Sequence, residues 1–329
     1  ISTKLLQMMH AAGHGVHITS ALTGTVIALV GFAFVDDTDL FCAGPSSTTT
    51  GEALSPEFQT ALDRWAGGLR ATGGALAPDK SFCYLLDFQW NGSTWKYRSM
   101  SDLPGTFTLT DSNGGRHPLR RYNPAHAEKT LGVYISMDGN EDSQFQYLKD
   151  ICVDFGAQMK ASTCTNNEAI YTFIASLLPK LSYAAPVTNL TEAQWDKILA
   201  PALVPTLHKA GVSKNISRPS LFGPTKYQGF GIPHPYFTQE IQHVLTLVQE
   251  VFSSSQTGLL LRANAEQFRL ELGLPFDITA GNYSVCSAYT TPTWYKSLWK
   301  FISSHPVSYT HLRAHETRGN LVCRLVREK

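Results

Sequence analysis

The chain is poor in charge: only 16% of its 329 residues are Asp, Glu, Lys or Arg, and the net charge is +1. That excludes a global basic field, so any contact with nucleic acid must come from local patches. Cysteines are few, at positions 42, 83, 152, 164, 286 and 323. None forms a Cys-x-x-Cys pair, which argues against a zinc knuckle or a disulfide framework and fits free thiols. Long apolar runs are also missing. Residues 18–35 come nearest, but Ser, Thr and Gly interrupt them, and the dense part from Val26 to Val35 has the length of a strand. A membrane helix needs about 20 apolar residues. No signal-peptide pattern is read, so an intracellular protein of the nucleus or cytoplasm is expected, with the sequons at Asn91, Asn189, Asn215 and Asn282 arising by chance. No internal repeat is evident.

What is there is 43% hydrophobic and long enough for one large or two ordinary domains. The organising stretch runs from Val26 to Phe41. A β-branched apolar run leads into Asp36 and Asp37, Asp39 follows, and Leu40 and Phe41 return to apolar character. This reads as a buried hairpin with carboxylates at its tip. Desolvating an ion costs several kcal/mol or more unless something pairs with it, and a bound cation is the usual partner. The alternative is an ordinary turn, since Asp and Thr favour turns.

Around this stretch, residues 1–12 read as the end of an amphipathic helix closed by Gly13. His10, His14 and His17 have near-helical spacing for metal ligands, but Gly13 and Gly15 break the helix between them, and surface histidines are the plainer reading. Pro45 to Gly51 is a loop, and Ser55-Pro56-Glu57 reads as a helix start. Phe58, Leu62, Trp65 and Leu69 keep helical spacing to the Gly73-Gly74 stop. Phe82 to Trp90 and Thr94 to Tyr97 flank Asn91-Gly92, a hairpin signal. Alternation through Thr106–Thr110 predicts another strand, followed by a turn at Asn113-Gly114-Gly115 and a basic cluster of Arg116, Arg120 and Arg121. From Asn140 the periodicity turns helical, over 142–160, 166–184, 191–210, 237–253 and 262–272. Pro201 and Pro205 should kink or divide the third of these. Arg218 to Pro235 reads as a structured loop.

Phe34-Val35-Asp36-Asp37 resembles the aromatic-x-Asp-Asp motif of reverse transcriptases. The next landmarks of that family follow: a helix ending in Gly73-Gly74 and running on to Lys80-Ser81, then the aromatic hairpin from Tyr84 to Tyr97. The wider pattern, to about residue 285, is similar to the reverse-transcriptase-like proteins of non-LTR retroelements in unicellular algae. The Lys129-Thr130-Leu131-Gly132-Val133 stretch recurs in them. The resemblance implies an α+β fold. Residues 1–100 would be the remainder of a polymerase palm, a hairpin plus packed helix, with a primer-grip-like hairpin. Residues 101–306 would be a strand and turn linker and a mainly helical thumb or connection region.

The function so implied is RNA-directed DNA polymerisation with two Mg²⁺ ions about 4 Å apart. Asp36 and Asp37 would be catalytic metal ligands, with Asp39 facing solvent or a backbone amide, and Lys80 would lie near the incoming triphosphate. Phe34, Val35, Trp90, Trp95, Lys96, Arg116, Arg120 and Arg121 would meet nucleic acid. The implied partners are an RNA template, a DNA primer and deoxynucleoside triphosphates, with no membrane. The family draws a further carboxylate from an earlier palm strand, so the expectation is a portion lacking the fingers and first palm segment and inactive alone. Plainer readings stand beside these: a surface lysine, a solvated arginine loop and aromatics packed along a sheet edge. For the whole chain the alternatives are a non-catalytic nucleic-acid-binding relic or a helical interaction protein. Finally, Val307 to Thr317 looks identical to one reading frame of a transposase-based sequencing adapter, and Leu321 to Arg324 resembles the flow-cell primer. Residues 307–329 are therefore expected to be an adapter-derived tail.

Overall fold

The computed structural model describes residues 2–46, 48–103, 105–273, 282–290 and 293–305. The tail expected at 307–329 lies outside the described residues. The described residues are α+β, 51% helical and 14% strand. Its strands form small two-stranded sheets. Among the described residues no helix is long and apolar enough to cross a membrane.

The chain divides into two compact units. The first comprises residues 1–19, 24–128 and 136–140, and the second 20–23, 129–135 and 141–329. In the first, helix α1 (Ser2–Ala11) precedes strands β1 (Val16–Thr19), β2 (Val26–Leu29), β3 (Gly31–Phe34) and β4 (Asp37–Leu40). The pairs β1–β2 and β3–β4 are antiparallel. Helix α2 (Gly51–Ala71) follows, then β5 (Phe82–Tyr84), β6 (Phe88–Trp90), β7 (Trp95–Tyr97), β8 (Thr108–Thr110), β9 (Arg116–Pro118) and β10 (Arg120–Tyr122). Strands β6–β7 and β8–β9 are antiparallel, whereas β5 and β10 pair in parallel.

Helix α2 is the scaffold of this unit because adjacent stripes of its surface serve two cores. Ala61 and Trp65 pack with Leu5, Met9 and Val30. Leu62 packs with Cys83, Leu85, Leu103, Phe107, Leu109 and Leu119. Residues 101–128 therefore fold with the first hundred rather than with the helical region, since Phe107, Leu109 and Leu119 complete a core begun by Leu62. The start expected at Ser55 is also displaced. Thr50 caps α2, its side chain accepting from the Ala53 N–H at 3.3 Å. Ser55 lies within the helix and donates to the Gly51 carbonyl at 2.9 Å. Asp87 accepts the Gly51 N–H at 3.1 Å, satisfying a donor that a helix start leaves open.

The chain passes between units through β11 (Ala127–Thr130) and β12 (Val133–Ser136). The second unit then holds α3 (Asp142–Ala161), α4 (Asn166–Thr172), α5 (Leu178–Ser182), α6 (Glu192–Lys209), α7 (Arg218–Phe222), α8 (Pro235–Glu250), α9 (Gln256–Leu272), α10 (Tyr283–Cys286) and α11 (Trp294–Ser304). The helix expected over 166–184 is interrupted by a π-helical turn at Phe173–Leu177, just before Pro179, which has no N–H to continue the regular ladder.

Helix α6 opens on a capping box between Thr191 and Gln194, and Pro201 and Pro205 lie inside it without dividing it. Proline 205 offers no N–H to the Pro201 carbonyl four residues earlier. That carbonyl turns toward α3, where a Cβ on Gly156 would stand 2.2 Å from it. Only glycine permits the two helices to approach so closely. Leu148, Cys152, Phe173, Trp195, Ile198 and Leu199 fill the core around this crossing.

Candidate functional site

Strands β3 and β4 place Phe34 opposite Asp37, which leaves Val35 and Asp36 as the two-residue turn. A Cβ on Gly31 would lie 2.2 Å from the Asp39 carbonyl oxygen, so glycine at the base lets the strands close. The hairpin is not buried, contrary to the sequence expectation. Phe34 is 63% and Val35 82% exposed, and Asp36 and Asp37 are exposed with them. The physical reason is that, among the described residues, no second layer covers the face bearing Phe32 and Phe34. Val35 takes φ +57°, a left-handed conformation unusual for a β-branched residue.

Alternation along β4 sets Asp37 and Asp39 on one face of the hairpin, the same face as their cross-strand partners Phe34 and Phe32. Partial desolvation, and then the charge of Asp37, push the Asp39 carboxyl above its ordinary range. Asp39 is exposed, in keeping with the solvent-facing side chain expected of it, and the structure adds the electrostatic influence of Asp37. The strand period of two was the signal that could have found it. Among the described residues no group of three or more His, Cys, Asp or Glu could hold a metal ion. A cation at this tip would rest on one or two carboxylates and on ligands from outside the protein.

Lys80 lies exposed in the turn before β5, its own N–H donating to the Ala77 carbonyl at 3.1 Å. Among the described residues no hydrogen bond or ion pair joins it to Asp36 or Asp37.

The β6–β7 hairpin carries the aromatic residues expected of it, on a single face. Phe88 stands opposite Tyr97 and Trp90 opposite Trp95, while Gln89 and Lys96 form the alternate pair on the other side. The Trp90 and Trp95 rings meet edge to face at 5.4 Å and those of Phe88 and Tyr97 at 4.7 Å. Trp90 is 55% and Trp95 66% exposed, so these rings do not form a packed sheet edge. The last pair is Trp90 with Trp95, which leaves residues 91–94 as the loop. Asn91 Oδ1 accepts the N–H groups of Ser93 and Thr94, at 3.1 and 2.8 Å.

Arg98 anchors the hairpin, donating to Asp87 and Glu52 at 2.7 Å each and to the Asp102 carbonyl at 2.7 Å. The hydrogen bond from Arg98 draws the Glu52 carboxyl down to about 2. For Asp87, burial works the other way, yet Arg98 and the N–H groups of Gly51 and Phe88 hold its carboxyl below the usual range. Sequence reasoning missed Arg98, Asp87 and Glu52, because nothing in their spacing announces a tertiary clamp.

The three arginines do not make one patch. Arg116 is exposed on β9 and meets Asp63 at 3.5 Å. Arg120 donates to the Asp79 carbonyl. Arg121 pairs along β10 with the buried Cys83 and donates to the Gly105 carbonyl at 3.2 Å, and burial lowers its pKa. Adjacent strand residues point to opposite faces, which separates Arg120 from Arg121.

No family model, no curated protein and no solved structure matches this chain. The stretch at Lys129–Val133 has a structural role within the second unit. Lys129 Nζ sits 4.4 Å from the centre of the Tyr147 ring and donates to its hydroxyl at 3.1 Å. Tyr183 donates to the Leu131 carbonyl at 2.7 Å, so Tyr147 and Tyr183 hold the turn from two sides.

Proposed function

We propose that this chain is the nucleic-acid-binding and partly metal-binding portion of a reverse-transcriptase-like nucleotidyltransferase, an RNA-directed DNA polymerase of a retroelement. The observation that carries this reading is the β3–β4 tip, where Val35 at φ +57° precedes adjacent exposed carboxylates. A β-branched residue in that conformation costs on the order of 1–3 kcal/mol, and such strain concentrates at working sites. Mg²⁺ is commonly held by one or two carboxylates, with water and substrate phosphate oxygens completing its shell. An open acidic tip suits that mode better than a closed protein cage would.

Asp36 and Asp37 would be the ligands, with Asp39 adding negative potential beside Asp37. When bound, the ion neutralises triphosphate charge and activates the primer hydroxyl. Lys80 would supply further positive charge to the triphosphate. The faces of Trp90 and Trp95 offer bases a stacking surface, and Lys96 on the opposite side offers a phosphate contact. Phe34 and Val35 at the tip, and the exposed Arg116 and Arg120, would extend that surface, whereas Arg121 is half-buried and held by the Gly105 carbonyl. A second reading, nucleic-acid binding without catalysis, is favoured by the same exposed aromatic face, which needs no metal.

Mn²⁺ binding, followed by water-proton relaxation, tests the first reading. An Asp36→Asn, Asp37→Asn double variant should bind Mn²⁺ at least about tenfold more weakly with an unchanged far-UV spectrum, and unchanged affinity would overturn the metal site. A Trp90→Ala, Trp95→Ala variant should bind a template–primer duplex with a single-stranded overhang roughly tenfold more weakly in fluorescence anisotropy, since a stacked base contributes about 1–3 kcal/mol. That loss together with an unaffected Mn²⁺ affinity in the aspartate variant would select the second reading.

A further inference from the structure

Helix α8 is turned with polar side chains inward. Gln239, Glu240 and His243 are buried, while Ile241 and Leu245 on the same helix are exposed. Gln239 is fully satisfied. Its Oε1 accepts from Trp195 Nε1 at 3.0 Å, Thr188 Oγ1 at 3.0 Å and the Leu190 N–H at 3.2 Å. Its Nε2 donates to the Leu190 carbonyl at 2.9 Å and to Glu240 Oε1 at 3.1 Å.

The next two residues are not satisfied. His243 Nε2 lies 3.1 Å from the Ala185 carbonyl oxygen, which can only accept, so this nitrogen carries a hydrogen. In the neutral ring Nδ1 is then an acceptor. Both Nδ1 and Glu240 Oε2 are buried with no hydrogen-bond partner. They face each other at 3.9 Å. Two lone-pair atoms placed this way, out of reach of solvent, repel unless a hydrogen lies between them.

We propose that Glu240 and His243 form a buried one-proton site: Glu240 is a neutral carboxylic acid in the folded protein, its hydrogen turned toward His243 Nδ1, so that one proton satisfies both buried atoms. The gap can close directly or through one bridging water. The charged and polar neighbours pull toward the ionised forms, and burial outweighs them. Trp294 of α11 lies 5.1 Å from the His243 ring, and Lys300 on the same helix supplies a positive charge from an exposed position. The Ala185 and Thr188 carbonyls lean on the imidazole, and α6 contributes Trp195 through Gln239. On α8 itself the Tyr236 phenol is pushed up to about 12 by burial and then by the charge of Glu240.

Burial pushes the Glu240 carboxyl up to about 7, against the pull of Gln239 and Lys300. Burial draws His243 down to about 4, against the two carbonyls. The signs oppose. With Glu240 raised from 4.5, the folded state holds the extra proton between pH 4.5 and 7, so its contribution to stability falls as pH rises through that window. With His243 lowered from 6.5, the folded state lacks a proton between pH 4 and 6.5, and its contribution falls as pH drops. Over their overlap the folded and unfolded pair hold the same number of protons at different atoms, and stability is level.

The test is a pH titration of the full chain by NMR, following Glu240 Cδ and the His243 ring nitrogens. Glu240 should titrate near 7, and His243 should stay neutral with its hydrogen on Nε2 down to about pH 5. Midpoints at the ordinary values, 4.5 for Glu240 or 6.5 for His243, would overturn the proposal. Paired variants sharpen it through denaturation midpoints. Glu240→Gln should lose stability as pH falls from 6.5 to 4, and His243→Gln should lose it as pH rises from 4.5 to 7. Parallel pH profiles for wild type and both variants would also overturn it.

Discussion

Two pairs of tryptophans set the units apart. In the first unit Trp90 and Trp95 lie on a two-stranded hairpin and remain more than half exposed, whereas in the second Trp195 and Trp299 are buried inside packed helices. The residue type is the same, and the number of covering layers differs. A two-stranded sheet with nothing on its far face cannot bury a ring, while helices crossing at close range enclose one from all sides. The lesson concerns polar groups as much as rings. The acids of the first unit sit in open solvent at Asp36 and Asp37, where a ligand can reach them. Glu240 in the second unit is buried, with Oε2 lacking any partner but a proton.

Replacing these tryptophans gives the widest separation. Trp195→Ala should cost about 3–5 kcal/mol in chemical denaturation, through lost packing and a weakened Gln239 network. Trp95→Ala should change the same midpoint by less than about 0.5 kcal/mol, as exposed substitutions do. Equal costs at the two positions would remove the contrast. Gly156→Ala comes next. Its Cβ would meet the Pro201 carbonyl oxygen at 2.2 Å, so α3 and α6 must part, at about 1–3 kcal/mol. Reverting the proline clash with Pro205→Ala in that background should recover part of the loss, because the Pro201 carbonyl regains a helical donor. A third substitution has the opposite sign. Val35→Gly relieves the φ +57° turn and should raise stability by about 1 kcal/mol. Under the proposed function it should also weaken primer-template binding, and a gain in both would detach the strain from the site.

Much of the helical unit was legible. Thr191 with Gln194 marks the start of α6 and Gly211 its stop, and the observed helices α3 and α6 fall within one residue of the periodic stretches at each end. Capping chemistry is local, so sequence carries it. The start of α2 was missed because Thr50 and Ser55 are equally good caps by type, and Asp87, reaching the Gly51 N–H from elsewhere in the chain, favours the earlier one. The inward turn of α8 was invisible for a related reason. Gln239, Glu240 and His243 look like a solvent face until Trp195, Leu190 and Ala185 are placed against them.

The candidate site divides in the same way. The acidic hairpin and the aromatic hairpin were both readable, since alternation and turn residues are local signals. Their exposure was not, and neither was the scattering of Arg116, Arg120 and Arg121 among separate partners.

By itself the amino-acid sequence determined the ends of α3 and α6 and which acids stand at the β3–β4 turn, because these depend on neighbours a few positions away. Tertiary structure alone decided which tryptophans are covered, why Gly156 must be glycine and where Glu240 keeps its proton. Burial and hydrogen-bond satisfaction depend on atoms brought together from distant parts of the chain, and no local pattern encodes them.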